Sequence, residues 1–108
     1  MYIIYMKDIE YFGFIWNEEK AKENKKKHDV SFEVAVHIFN DPYLCEFYDV
    51  NHSGTEDRYS YIGSIMGDLI LFVIATDREG KIRVISARKA TSKEREYYYE
   101  NIKKLQNS

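Results

Sequence analysis

Arg83 and Arg88 frame a strand-like run, Ile82-Arg83-Val84-Ile85-Ser86-Ala87-Arg88, whose other positions are apolar or small. A guanidinium carried on a strand is held in place before any ligand arrives, as the stabilisation of charge building in a transition state requires. An alternating strand with its polar face in water, or an arginine paired with the acidic stretch 41–57, accounts for the same residues equally well. A second cluster, Lys25-Lys26-Lys27-His28, closes a candidate helix. It reads as a phosphate-binding edge or, more simply, as cations that satisfy the helix dipole. His28 can titrate near neutral pH, but so can His52, and the residues alone do not choose between them. His37 sits beside an apolar helical stripe and reads first as a surface or boundary side chain.

Several other chemistries lack their residues. The chain has no Gly-rich phosphate loop, no nucleophile elbow and no Cys/His pair at metal-ligand spacing, so neither a cofactor nor a metal is expected. Cys45 is the only cysteine and reads as a small core residue. It leaves no internal disulfide, which fits a reducing compartment, and a cytoplasmic location is expected. The apolar start, Met1 to Met6, is too short to span a membrane and has neither a basic flank nor a small-residue cleavage site. Met6 can equally be the natural start, and residues 1–10 then form a frayed extension of a single domain, 1–108.

Hydrophobic residues make up 44 % and aromatics 16 % of the 108 residues, enough apolar surface to offset the entropy of ordering one domain. The formal net charge of −2 is unusual for a nucleic-acid binder, but it hides an asymmetry. From residue 67 on, nine cations against six carboxylates leave +3, and residues 1–66 carry −5. A basic strand–helix edge opposite an acidic loop can hold a short RNA, with little long-range steering of free RNA.

The elements that must position these groups follow from periodicity and caps. Phe12–Trp16 reads as a short strand. Asn17 caps a helix with Glu18 and Glu19 in its first turn and the lysine run in its last. Ser31 caps a second helix, in which Phe32, Ala35, Val36 and Phe39 form one stripe. Strands follow at Leu44–Tyr48, Arg58–Ile65, Leu69–Ala75 and Lys81–Ala87, with turns at Met66-Gly67-Asp68 and Asp77–Gly80. In the last strand Ile82, Val84 and Ser86 are expected on one face, and Arg83, Ile85 and Ala87 on the other. The run from Leu69 is apolar enough for a central strand covered on both faces. Thr91-Ser92-Lys93-Glu94 is a capping box for a final helix with Tyr98, Ile102 and Leu105 along its buried seam. The expected class is α+β, order β-α-α-β-β-β-β-α, with an antiparallel meander sheet flanked by helices.

Three groups of residues resemble the BrnT-like toxin family. Trp16-Asn17-Glu18-Glu19-Lys20, Asn24, Lys27-His28, Val30–Glu33, Ala35, Phe39 and Asp41-Pro42 resemble its opening. Asp49, His52-Ser53, Glu56-Asp57-Arg58 and Ile62-Gly63 resemble its middle, and the stretch from Ile82 to Ala90 with Glu94 and Tyr98 resembles its close. The resemblance runs in order from about Phe14 to Tyr98. Asn17 stands where an Asp is usual, Asp29 where Gly is usual, and Asp57 for a common Glu.

The resemblance implies a RelE-like fold and a ribonuclease toxin of a type II toxin–antitoxin system that inhibits translation and growth. It implies a cognate antitoxin of ribbon-helix-helix, BrnA-like type, through which alone operator DNA is contacted. It also implies an RNA substrate, free or ribosome-bound. Metal-free cleavage by the 2′-hydroxyl needs a base, cations on the phosphate and an acid for the departing 5′-oxygen. On that footing Arg58, Arg83 and Arg88 are the candidate phosphate and transition-state cations, and His28 a candidate proton-transfer group. Lys26, Lys27 and Lys89 are candidate RNA contacts, and Tyr97 a candidate stacking platform, with Tyr98 read as core. The other reading is a non-catalytic module that binds the antitoxin and shapes the operon-repressing complex.

Overall fold

The computed structural model of the protein describes residues 7–51, 54 and 56–108. Its elements run β1 (Asp8–Tyr11), β2 (Phe14–Asn17), α1 (Glu18–His28), α2 (Phe32–Ala35), a 3-10 turn (Val36–Asn40), β3 (Cys45–Tyr48), β4 (Arg58–Ile65), β5 (Leu69–Arg78), β6 (Lys81–Lys89) and α3 (Ser92–Gln106). The strands form one sheet in the order β1-β2-β6-β5-β4-β3. The α+β class stands. Among the described residues no helix is long and apolar enough to cross a membrane.

Two expectations about the sheet are corrected. An antiparallel meander describes only β3 to β6; β2 joins β6 in parallel, with Phe14 opposite Ile82 and Ile15 opposite Arg83, so the sheet is mixed. β1 is a further strand, antiparallel to β2, where the sequence suggested the end of a frayed extension. The β1–β2 turn places Phe12 at φ 49° and Gly13 at φ 89°, the handedness that matches strand twist in a two-residue hairpin. Residues 1–6 lie outside the described residues.

The helix caps form as their residue types dictate. Asn17 Oδ1 accepts from the Lys20 N–H at 2.9 Å, and α1 ends on Asp29 in the left-handed region, φ 56°. Ser31 Oγ accepts from the Val34 N–H, but the expected helix lasts one turn before tightening into the 3-10 segment. The stripe survives that change: Phe32, Ala35 and Val36 are buried, and Phe39 packs against them.

Both faces of the sheet are covered. On one, α1, α2 and the 3-10 turn lie over Trp16, Leu71, Val73, Ala75, Val84 and Ala87. On the other, Tyr98 and Ile102 of α3 pack with Ile62, Ile70 and Phe72. β5, between β4 and β6, feeds both layers.

β6 departs from simple alternation. Ala75 lies opposite Val84 and Ile74 opposite Ser86, so Ile85 is an extra residue, a β-bulge. The bulge changes the sequence expectation: Ala87 shares the core face with Ile82 and Val84, and Ser86 turns to the opposite face. Arg83 and Arg88, five positions apart, would alternate to opposite faces of a regular strand. The inserted residue brings both to the face that carries α3.

Candidate functional site

Where α3 leaves its face of the sheet uncovered, a groove of about 450 Å³ opens. β6 supplies Arg83, β4 supplies Arg58, β5 supplies Thr76 and Arg78, and the β2–α1 junction supplies Asn17 and Lys20. The strand register places them: Thr76 is opposite Arg58 on one side and Arg83 on the other, so all three share a face. Arg78, two residues further along β5, joins them. The sequence reading ended this strand at Ala75 and left Arg78 in a turn; the longer strand brings it into the site.

Carboxylates hold Arg83 and Arg78. Arg83 donates to both oxygens of Asp8 at 3.1 and 3.2 Å, and Arg78 donates from Nε to Glu56 at 2.7 Å. Through its hydrogen bonds Arg83 holds the Asp8 carboxyl below its ordinary range. Lys81 pairs in the same way with Glu10 at 2.7 Å, so both outward carboxylates of β1 rest on cations of β6.

Two polar groups in the groove have no counterpart. Asn17 is 2 % exposed and Thr76 6 %, yet Asn17 Nδ2 and Thr76 Oγ1 find no hydrogen-bond partner among the described residues. A buried donor left unsatisfied costs about 1–3 kcal/mol, so such groups in a native fold call for a reason.

The remaining candidates divide. Lys27 and His28 line a smaller pocket with Ser86, and it adjoins the groove through the shared Lys20 and Ile85. Lys26 lies on the other side of α1, beside Ile9, Trp16 and Phe32, and is not brought to the groove. Arg88 donates two bonds to Glu94 at 2.8 and 2.9 Å, with its guanidinium 4.3 Å from the centre of the Phe72 ring. Lys89 is exposed one residue on. Tyr97 is exposed on α3 and meets Phe47 edge-on, away from the groove. Tyr98 is core, as expected: it is 3 % exposed and donates to Asp41, and burial pushes its phenol up, so it stays neutral. His52 lies outside the described residues.

Sequence reasoning missed Asp8, Asn17 as a groove residue, Glu56, Thr76 and Arg78. Asn17 was legible as a cap; that it also lines a groove depends on β6, far along the chain.

A family model described as "Ribonuclease toxin, BrnT, of type II toxin-antitoxin system" matches residues 16–94. The chain belongs to the BrnT family. Its fold is similar to that of the Brucella abortus ribonuclease toxin BrnT, known from a 1.1 Å crystal structure, with 28 % identity and a TM-score of 0.56. The similarity covers 71 % of this chain and 94 % of the Brucella protein. No curated protein matches the chain. As a BrnT toxin the chain is a ribonuclease of a type II toxin–antitoxin system, and a cognate antitoxin is its partner. β1, with Asp8 and Glu10, precedes the segment that the family model matches.

Proposed function

We propose that this BrnT toxin cleaves RNA without a metal, by attack of a 2′-hydroxyl on the adjoining phosphodiester, in the groove between β4, β6 and the start of α1. The observation that carries the reading is the convergence of Arg58, Arg78 and Arg83 on one sheet face. Arginine suits the task because its planar fork binds two phosphate oxygens and keeps its charge through the reaction. Arg58 and Arg83 offset the charge that builds on the phosphate. His28, with Lys27 in the adjoining pocket, moves the proton between the attacking and departing oxygens. Arg88 serves as a third cation where the RNA strand reaches the start of α3, with Glu94 as its resting partner.

Translation and growth fall as messenger is cut, free or on the ribosome, and an antitoxin of ribbon-helix-helix, BrnA-like type restrains the toxin and contacts operator DNA. A RelE-like relationship of the sheet belongs to the same proposal. The test is cleavage of a defined RNA in chelator, with and without translating ribosomes. New 5′-hydroxyl ends, lost in folded Arg58→Ala and Arg83→Ala variants, support the reading; full cleavage by both variants sinks it.

One observation favours a non-catalytic module that only binds the antitoxin: Asp8 and Glu56 already neutralise two of the arginines. Tight antitoxin binding with intact RNA in every condition would select it.

A further inference from the structure

The geometry points to an oxyanion site in the groove in which Asn17 Nδ2 and Arg83 hold one phosphate, Asp8 is the resting competitor for Arg83, and Thr76 Oγ1 is left to meet the adjoining nucleotide. That the oxyanion belongs to a phosphodiester rests on the nuclease reading above.

The orientation of the Asn17 amide is fixed by the helix it starts. Its oxygen must accept the Lys20 N–H, a bond of 2.9 Å, which leaves its nitrogen, shielded from solvent in the groove wall beside its cross-strand neighbour Asp8, with two hydrogens and no acceptor among the described residues. Thr76 brings a second buried, unpartnered polar atom to the same groove, on the strand at the other side of β6. β2 and β5 flank β6, and Asn17 lies two residues beyond Ile15, which is level with Thr76 across Arg83, so the backbones of the two residues stand about 12 Å apart. A single phosphate on Asn17 and Arg83 therefore leaves Thr76 for the adjoining nucleotide.

Asp8 shows what the Arg83 fork accepts: two oxygens of one anion, at 3.1 and 3.2 Å. That carboxylate comes from an edge strand, is half exposed, and can be displaced without opening the core. A phosphate offers the same pair of oxygens and further acceptors for the Asn17 amide, which Asp8 does not satisfy. Charge then balances in both states, with the acidic strand covering the arginine at rest and the nucleic-acid backbone replacing it.

The test titrates inorganic phosphate into nitrogen-15-labelled wild type, Asn17→Asp and Asp8→Asn, with RNA cleavage measured in parallel. Asn17→Asp keeps the capping oxygen, so the thermal midpoint holds, but it removes the amide donor and adds a repelling charge. In wild type, the Asn17 side-chain amide and Arg83 Nε–H signals should shift together and saturate. Phosphate should bind roughly tenfold more weakly to Asn17→Asp and several-fold more tightly to Asp8→Asn. Wild-type phosphate affinity in Asn17→Asp, or no shift of the Asn17 amide, overturns the site even if RNA is cleaved. Phosphate binding that follows the expected order, with no cleavage by any of these proteins, supports the site and defeats the nuclease reading instead.

Discussion

Arg88 and Glu94 close on each other through two hydrogen bonds of 2.8 and 2.9 Å, and Glu94 Oε1 also accepts the Thr91 N–H at 2.8 Å. One carboxylate thus caps α3 and ties it to the end of β6. Arg88→Ala should lower the unfolding free energy by about 1–3 kcal/mol, read by chemical denaturation, because a charge-assisted pair is lost and Glu94 is left half-buried. Arg88→Lys should recover only part, since an ammonium cannot make the two-pronged contact. Loss of toxicity in an Arg88 variant therefore bears on catalysis only alongside its stability.

The same pair sets an acid limit. The Arg88 guanidinium, helped by the Thr91 N–H, holds the Glu94 carboxyl below its ordinary value of 4.5. A carboxyl depressed by folding contributes stability that is fully present above its unfolded value and is lost as pH falls through the folded one. Wild type should lose stability relative to Glu94→Gln as pH drops below about 4.5, and the difference should be flat from pH 6 to 8. Thermal midpoints across that range check it; equal slopes in the two proteins would contradict the assignment.

What the sequence made legible was local. Asn17, Ser31 and the Thr91–Glu94 box each cap a helix through a bond to a residue three positions on, and the turns at Met66-Gly67 and Glu79-Gly80 take the positive φ expected of tight hairpins. The parallel pairing of β2 with β6 had no such marker, because it joins strands separated by almost the whole fold and no turn chemistry announces it. The bulge at Ile85 was also hidden: its run of apolar residues fits regular alternation as well as an insertion. Arg58 and Arg83 were legible as site candidates from the resemblance and, for Arg83, from a cation within a strand. Asp8, Thr76 and Arg78 were not, since their meeting depends on that register.

Asn24 should prove the most consequential polar residue near the site. Its side-chain nitrogen donates to the carbonyls of Val30 and Ala87 at 3.0 and 2.8 Å, and its oxygen accepts the Ala87 N–H at 3.1 Å. The amide acts as a neighbouring strand for β6 just where β2 has turned away into α1. Asn24→Ala leaves three buried backbone groups unpaired and should cost about 3–5 kcal/mol, enough to show as a large fall in thermal midpoint. Asn24→Asp keeps the acceptor but turns a buried carboxylate oxygen onto the Val30 and Ala87 carbonyls, so at neutral pH it should cost at least as much as Asn24→Ala.

Gly63 is a packing constraint rather than a turn. A Cβ there would stand 2.8 Å from Ile38 Cβ and 2.9 Å from Leu44 Cδ1, both closer than carbon atoms allow. Leu44 can swing aside; Ile38, fully buried in the 3-10 segment, cannot. Gly63→Ala should destabilise by about 1–3 kcal/mol. The double variant Gly63→Ala with Ile38→Val should not recover it, because the clash is with Cβ, which valine keeps.

Lys26 and Lys27 are neighbours in sequence but lie on different sides of α1, the first beside Trp16 and Phe32, the second beside Ser86 and Lys20 next to the groove. If the groove is where RNA lies, the two should differ in the salt dependence of binding. A cation on a phosphate of single-stranded RNA contributes about 0.7 to the slope of log affinity against log salt, whereas one that touches no phosphate contributes nothing. Lys27→Ala should flatten the slope by roughly that amount and weaken binding, and Lys26→Ala should leave both unchanged. The measurement uses a short RNA with 2′-deoxy substitution at the cleavage position, so that binding is read without turnover. Equal effects from both variants would place the RNA path across the outer surface of α1 instead, and a loss confined to Lys26→Ala would move it to the apolar face beside β1.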